Sequence, residues 1–177
     1  AVERVGRVID IVETSLQRIA ENASRIVENG DVLLTHSFSL TAIKALESAL
    51  KRGISFEVYV TESRPFGEGI AMAERLSALG IPVTLIVDSA VRYVMSEIDK
   101  VIVGADALAS DGSAVAKVGT SQLALTAKYS NTEFIVVAGL YKFFPDTLQG
   151  FRFDPEILSD PGLVLSSEAM PELQGRV

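Results

Sequence analysis

From residue 31 to residue 138, short runs of Val, Ile and Leu alternate with segments of helical spacing, several of them closed by glycine. The runs, at 32–35, 56–61, 83–87, 101–103 and 134–138, are rich in Val and Ile on both faces rather than at every second position. A strand of that kind is buried on both sides, which is the habit of parallel sheets. Helical segments at 41–51, 69–79, 89–97 and 121–128 supply the cover, and Gly53 and Gly80 stand where a left-handed residue ends a helix. The pattern predicts an α/β fold in three layers, a mostly parallel sheet with helices on both faces. At 177 residues and 48% hydrophobic content, the chain is long enough to fill one such core.

Ahead of this region, Val5, Ile9, Val12, Leu16, Ile19, Ala23 and Ile26 recur three or four residues apart with Glu, Arg and Asn between them. They predict a long amphipathic helix over 5–29, ended by Asn29-Gly30. Its narrow seam suits either a coiled-coil dimer or packing on the chain's own sheet. After Gly150 the periodicity fades, and Pro155, Pro161 and Pro171 punctuate a tail with one short strand expected at 163–165. The expected division is a connecting helix at 1–30, the α/β domain at 31–150 and a C-terminal tail at 151–177. The chain begins with Ala1, as a processed start or a fragment of a longer protein would.

A net charge of −7 argues against nucleic acid as the primary ligand, because phosphate backbones are bound by a surplus of Lys and Arg. With no cysteine, disulfides, thiolate zinc sites and thiol nucleophiles are excluded. No metal site and no cofactor are expected. The first strand runs into Thr35-His36-Ser37-Phe38-Ser39 with no glycine, so it lacks the dinucleotide fingerprint. No apolar stretch reaches the length of a membrane span, and the N-terminus lacks a signal-peptide layout. The expectation is a soluble cytoplasmic protein.

In a parallel sheet, ligands bind at the carboxyl ends of strands, beside the point where strand order reverses. The stretch from Asp99 to Asp106 is an apolar run that ends on a carboxylate, followed by Asp111-Gly112 and then Lys117-Val118-Gly119-Thr120. A carboxylate at a buried strand end must face solvent, a ligand or a cation. Asp106 is therefore the leading candidate for proton transfer or hydroxyl recognition, with Glu62 and Asp88 expected to crowd the same edge. Arg64 before Pro65, and Lys117 with Gly119 and Thr120 before a helix, offer cations and backbone donors for phosphate. Tyr141 and Lys142 follow the last strand and can close a pocket. His36 is the one histidine, expected more as a hydrogen-bonding residue at a strand end than as a base. Ser37 and Ser39 are expected to cap the next helix. A Ser-His-Asp hydrolase is disfavoured, since the serine lacks a Gly-x-Ser-x-Gly elbow and adjoins the histidine.

Taken together, Thr35-His36-Ser37-Phe38-Ser39, the run from Val60 to Pro65, the run from Pro82 to Ala90, the run from Lys100 to Asp106, the run from Lys117 to Thr120, and Tyr141-Lys142-Phe143 resemble one family in order and spacing. It is the family of initiation factor 2B alpha, beta and delta subunits, which also contains methylthioribose-1-phosphate isomerase and ribose-1,5-bisphosphate isomerase. The likeness spans residues 30 to 145. It implies a Rossmann-like domain, normally preceded by a helical domain of which the first helix here is the connecting piece. The family's isomerases use a cysteine after Thr-His and the aspartate of Gly-Ala-Asp; this chain keeps Asp106 and has Ser37 in place of the thiol. Ala116 stands where an asparagine usually precedes the lysine of Lys-x-Gly-Thr, and a closing Phe-Asp-x-Thr-Pro segment is not recognisable in the tail. Arg64-Pro65 is similar to the isomerases' phosphate-holding motif.

The resemblance implies a regulatory subunit that binds a sugar phosphate or nucleotide phosphate, forms homo-oligomers and contacts initiation factor 2. His36, Glu62, Arg64, Lys117, Gly119, Thr120 and Lys142 would serve as ligand contacts. The alternative is an aldose-ketose isomerase acting on a ribose phosphate, with Asp106 and Ser37 as its catalytic pair.

Overall fold

The computed structural model describes residues 2–150. The expected tail at 151–177, with its strand at 163–165, lies outside the described residues.

A helix α1 (Val2–Ser24) leads into strand β1 (Val32–His36), helix α2 (Leu40–Lys51), strand β2 (Glu57–Thr61), helix α3 (Glu68–Ala78) and strand β3 (Val83–Ile86). A short helix α4 (Val91–Val94) precedes strand β4 (Lys100–Val103). A small hairpin follows, β5 (Ala107–Leu108) with β6 (Ala114–Val115), then helix α5 (Thr120–Ser130) and strand β7 (Glu133–Val136). The five long strands form one parallel sheet in the order β3-β2-β1-β4-β7. The chain moves outward from β1 to β3, then crosses back to β4 beside β1. The strand order therefore reverses between β1 and β4, which is where the fold opens a crevice.

Consecutive residues of the central strands feed opposite layers, as their Val- and Leu-rich sequences require. Leu33, Val58, Val60 and Ile102 pack with α2, α3 and the end of α1, where Ile43, Leu46, Met72 and Leu76 are buried. Leu34, Val101 and Val103 face the other way, against Val91, Met95, Leu123 and Ala127. Parallel register brings His36 level with Thr61, Thr61 with Ile86, and Val103 with Val136. The carboxyl ends of all five strands thus meet at one edge.

The expected helices and strands are present, with ends shifted by a residue or two in most cases. Two differ more. The first helix ends at Ser24, five residues before Asn29, because the Arg52 side chain donates to the Ser24 carbonyl at 2.6 Å and Ser24 Oγ donates to the Glu21 carbonyl at 2.9 Å. The chain then turns so that Val27 still enters the core, 2% exposed. The C-terminal half of α1 packs on the same chain, through Ala20, Ala23 and the partly buried Ile19. Its N-terminal half leaves Val5, Val8, Ile9 and Ile11 exposed among the described residues.

The helix expected at 89–97 is a single α-helical turn between two 3-10 turns. Its job is to bury Val91, Met95 and Ile98 across a short connection. The hairpin β5–β6 has two-residue strands, too short to leave a periodic trace in the sequence. Its turn uses Asp111, whose carboxylate accepts from the Ser113 amide and hydroxyl, and Gly112 at φ +84°.

Candidate functional site

At the reversal point lies an open cavity of about 340 Å³. Its wall comes from the loop after β1 (His36, Ser37, Ser39), the start of α2 (Leu40, Thr41), the loop after β4 (Gly104, Ala105, Asp106), the approach to α5 (Ala116, Lys117, Thr120), Glu68 at the start of α3, and Tyr141 with Lys142 after β7. Val12 and Leu16 of α1 line it as well. Apolar and charged groups thus converge on a space of the size that holds a small phosphorylated molecule.

The loop after β1 is set in an unusual conformation. Ser37 has φ +63°, a left-handed backbone that residues with a side chain adopt rarely, and it is 7% exposed. Its amide donates to Ser63 Oγ at 2.7 Å, tying this loop to the one after β2. Its hydroxyl donates to Glu68 Oε2 at 2.6 Å. The other carboxylate oxygen of Glu68 accepts from Lys117 Nζ at 2.9 Å. Lys117 in turn sits over the Phe66 ring, 5.1 Å from its centre. Burial pushes the Glu68 carboxyl up, but the hydrogen bonds from Ser37 and Lys117 and the lysine's charge outweigh it and hold the group below the usual carboxylate range.

His36 is 4% exposed and fully engaged. Its Nε2 donates to the Val118 carbonyl at 2.8 Å, since a carbonyl only accepts. Its Nδ1 meets the hydroxyls of Thr61 at 2.6 Å and Ser63 at 3.2 Å, with Asp88 3.9 Å away. The imidazole therefore clamps the end of β1 to the segment ahead of α5. Gly119 makes room for it: φ is +99°, and a Cβ there would lie 2.9 Å from the ring. Gly119→Ala is expected to cost about 1–3 kcal/mol in stability through that backbone strain alone. A chemical denaturation curve with an unchanged midpoint would contradict this account of the clamp.

The remaining predicted residues divide. Asp106 lines the cavity; its amide donates to the Val115 carbonyl at 2.7 Å, and no described residue hydrogen-bonds its carboxylate. Lys142 lines it too, with its ammonium donating to the Ala105 carbonyl. Thr120 is the first residue of α5 and faces the same space. Gly119 lies behind His36, on the wall of a second, smaller cleft of about 150 Å³ with Asp88 and Arg92.

Neither Glu62 nor Arg64 is on the cavity wall. The Ser63 and Arg64 amides both donate to the Asp88 carboxylate, at 2.9 and 2.8 Å, and the Glu62 carbonyl accepts from the Gly69 amide. These bonds fix their backbone around the second cleft and the start of α3. The expected crowding of Glu62 and Asp88 around Asp106 is corrected accordingly: Asp88 caps a loop, and the second carboxylate in the cavity is Glu68. Glu68 was not among the residues expected from the sequence; its place between Gly67 and Gly69 at the start of α3 was the available signal. Ser39, not Ser37, caps α2, accepting from the Ala42 amide at 3.3 Å. Among the described residues no group of His, Asp and Glu side chains is placed to hold a metal ion, and no helix is long and apolar enough to cross a membrane.

Residues 1–158 match the profile of the initiation factor 2 subunit family. The chain belongs to that family. A ribose 1,5-bisphosphate isomerase of Archaeoglobus fulgidus is 42% identical over 149 residues, 84% of this chain and 48% of that protein. The chain spans about half the length of the curated relatives it matches. Among solved structures, the Pyrococcus horikoshii OT3 translation initiation factor eIF-2B superposes with a TM-score of 0.80 at 35% identity, covering 81% of this chain and 52% of that one. A chain of the tetrameric eIF2B beta2-delta2 complex of C. thermophilum gives 0.74 at 29% identity, covering 80% and 46%. The α/β fold expected from the strand pattern and the family resemblance read from the motifs both stand. Within this initiation factor 2 subunit family, the names of the relatives divide between an isomerase and translation factors. The cavity's chemistry therefore has to decide what this member does.

Proposed function

We propose that this chain is a cytoplasmic regulatory subunit of the initiation factor 2B type that binds a phosphorylated sugar, or a nucleotide phosphate, without turning it over. Lys117, Lys142 and the starts of α2 and α5 hold the phosphate, and Asp106 accepts hydrogen bonds from sugar hydroxyls. Oligomer formation with its own kind and contact with initiation factor 2 belong to the same reading, and the solved tetramer among the structural relatives supports assembly.

The observation that carries it is the Ser37–Glu68–Lys117 chain. An aldose-ketose isomerisation moves a proton between adjacent carbons and needs an acid and a base near neutral pH. A serine hydroxyl does this only beside a strong base. The base within reach is Glu68, and a carboxylate paired with an ammonium and held below its usual range is a poor proton acceptor. Ser37 is thereby fixed as a hydrogen-bond donor.

Calorimetric titration with ribose, fructose and nucleoside phosphates tests this, run beside an isomerase assay. Saturable binding without conversion is expected; absence of binding by any of them to the folded chain would overturn it.

A second reading has support from the 42% identity to a ribose 1,5-bisphosphate isomerase and from the Asp106 carboxylate in the cavity, which no described residue hydrogen-bonds. It makes the chain an isomerase with Asp106 as its proton shuttle. Conversion of ribose 1,5-bisphosphate that disappears in Asp106→Asn would establish it in place of the first.

A further inference from the structure

Among the described residues, and apart from His36 and Tyr141, the titratable side chains on the cavity wall are Glu68, Asp106, Lys117 and Lys142. Two carboxylates and two ammonium groups cancel. What remains to attract an anion is the partial positive charge at the starts of α2 and α5, about half a unit each. A single phosphate group brings about −2 at neutral pH, and a bisphosphate brings twice that.

The two cations are not equally available. Lys142 is held by a backbone carbonyl and pairs with no carboxylate among the described residues, whereas Lys117 is held by the Glu68 carboxylate, 2.9 Å away. Glu68 is itself fixed from the far side by Ser37, so it does not swing away from Lys117 without breaking a 2.6 Å hydrogen bond and leaving a buried hydroxyl unpaired.

We propose that Glu68 is a specificity-determining residue: by keeping Lys117 compensated, it restricts the cavity to sugars carrying one phosphate and rejects bisphosphates. This rests on the reading of the cavity as a sugar-phosphate site and names the class of sugar phosphate it takes. The first phosphate is met by Lys142 and the helix starts, with Lys117, its charge offset by Glu68, beside them. A second would be placed against Glu68 or Asp106, where like charges repel.

The test is calorimetry of ribose 5-phosphate and ribose 1,5-bisphosphate against the full chain, Glu68→Gln and Glu68→Asp, each checked for folding by thermal denaturation. Glutamine keeps the size and an acceptor for the lysine while removing the charge; aspartate keeps the charge. The unaltered chain is expected to bind the monophosphate at least about tenfold more tightly than the bisphosphate, and Glu68→Gln to close or invert that ratio by about tenfold. Glu68→Asp is expected to keep the monophosphate preference. A bisphosphate preference in the unaltered chain would overturn the proposal. So would a ratio untouched by Glu68→Gln, or one that Glu68→Asp shifts as far as Glu68→Gln does. Binding of neither phosphate by any of the three would overturn the underlying site reading, and the proposal with it. If Glu68→Gln does not fold, a bisphosphate preference in either the unaltered chain or Glu68→Asp still overturns the proposal.

Discussion

Gly69→Ala is expected to lower the thermal unfolding midpoint of this chain by about 10 °C, the largest stability effect of any single methyl group at the site. A Cβ at Gly69 would lie 1.7 Å from the Thr61 carbonyl oxygen and 2.8 Å from its carbon, both backbone atoms of β2. No rotamer relieves such a contact; helix α3 has to move away from the end of the strand. The Gly69 amide also donates to the Glu62 carbonyl at 3.1 Å, so the same movement breaks that bond. Overpacking against backbone together with a lost buried hydrogen bond is worth more than about 3 kcal/mol. At about 2–4 °C per kcal/mol for a chain of this size, the shift is readily measured. Because α3 carries Glu68 at its first residue, the displacement also misplaces the cavity's acid. A midpoint within 2 °C, on the order of the error of such scans, would show that α3 does not pack as described.

Lys117→Ala is expected to weaken sugar-phosphate binding by roughly 30- to 1000-fold, which corresponds to about 2–4 kcal/mol. Two effects add. The substitution removes one of the cavity's two ammonium groups, and it strips Glu68 of its partner, so an uncompensated carboxylate faces the incoming phosphate. The same variant is expected to change stability much less, because the lysine and glutamate side chains are 26% and 34% exposed and water screens the loss. Calorimetry read alongside a denaturation midpoint separates the two. Near-normal affinity in a well-folded Lys117→Ala protein would remove this lysine from the site.

The layering and the location of the cavity were legible in the sequence because both follow from burial. Val101, Ile102 and Val103 are consecutive and all within 2% of full burial, a pattern that only a sheet covered on both faces produces. Such a sheet places its ligands at the carboxyl edge, so Ser37, Asp106, Lys117, Thr120 and Lys142 could be named before any geometry was known.

Side-chain direction was not legible. Arg64 sits at the same edge as Lys117, yet its backbone is held by Asp88, a residue 24 positions away that no local pattern connects to it. The hairpin β5–β6 escaped because two residues carry no period. Glu68 escaped for a different reason: an acid in the first turn of a helix is ordinarily there for the helix dipole, and only the left-handed turn at Ser37 brings a hydroxyl to it. His36 looked like a possible ligand contact, and its three hydrogen-bond partners come from the end of β2, the loop after it and the segment ahead of α5.

The central claim, a sugar-phosphate site that binds without turnover, meets its most direct test in a ³¹P NMR titration of ribose 5-phosphate with the full chain. The account predicts that the phosphate resonance shifts or broadens saturably as protein is added, while no second sugar-phosphate signal grows in over hours. A resonance that stays unmoved, or a ketose phosphate signal that accumulates with time, would contradict it.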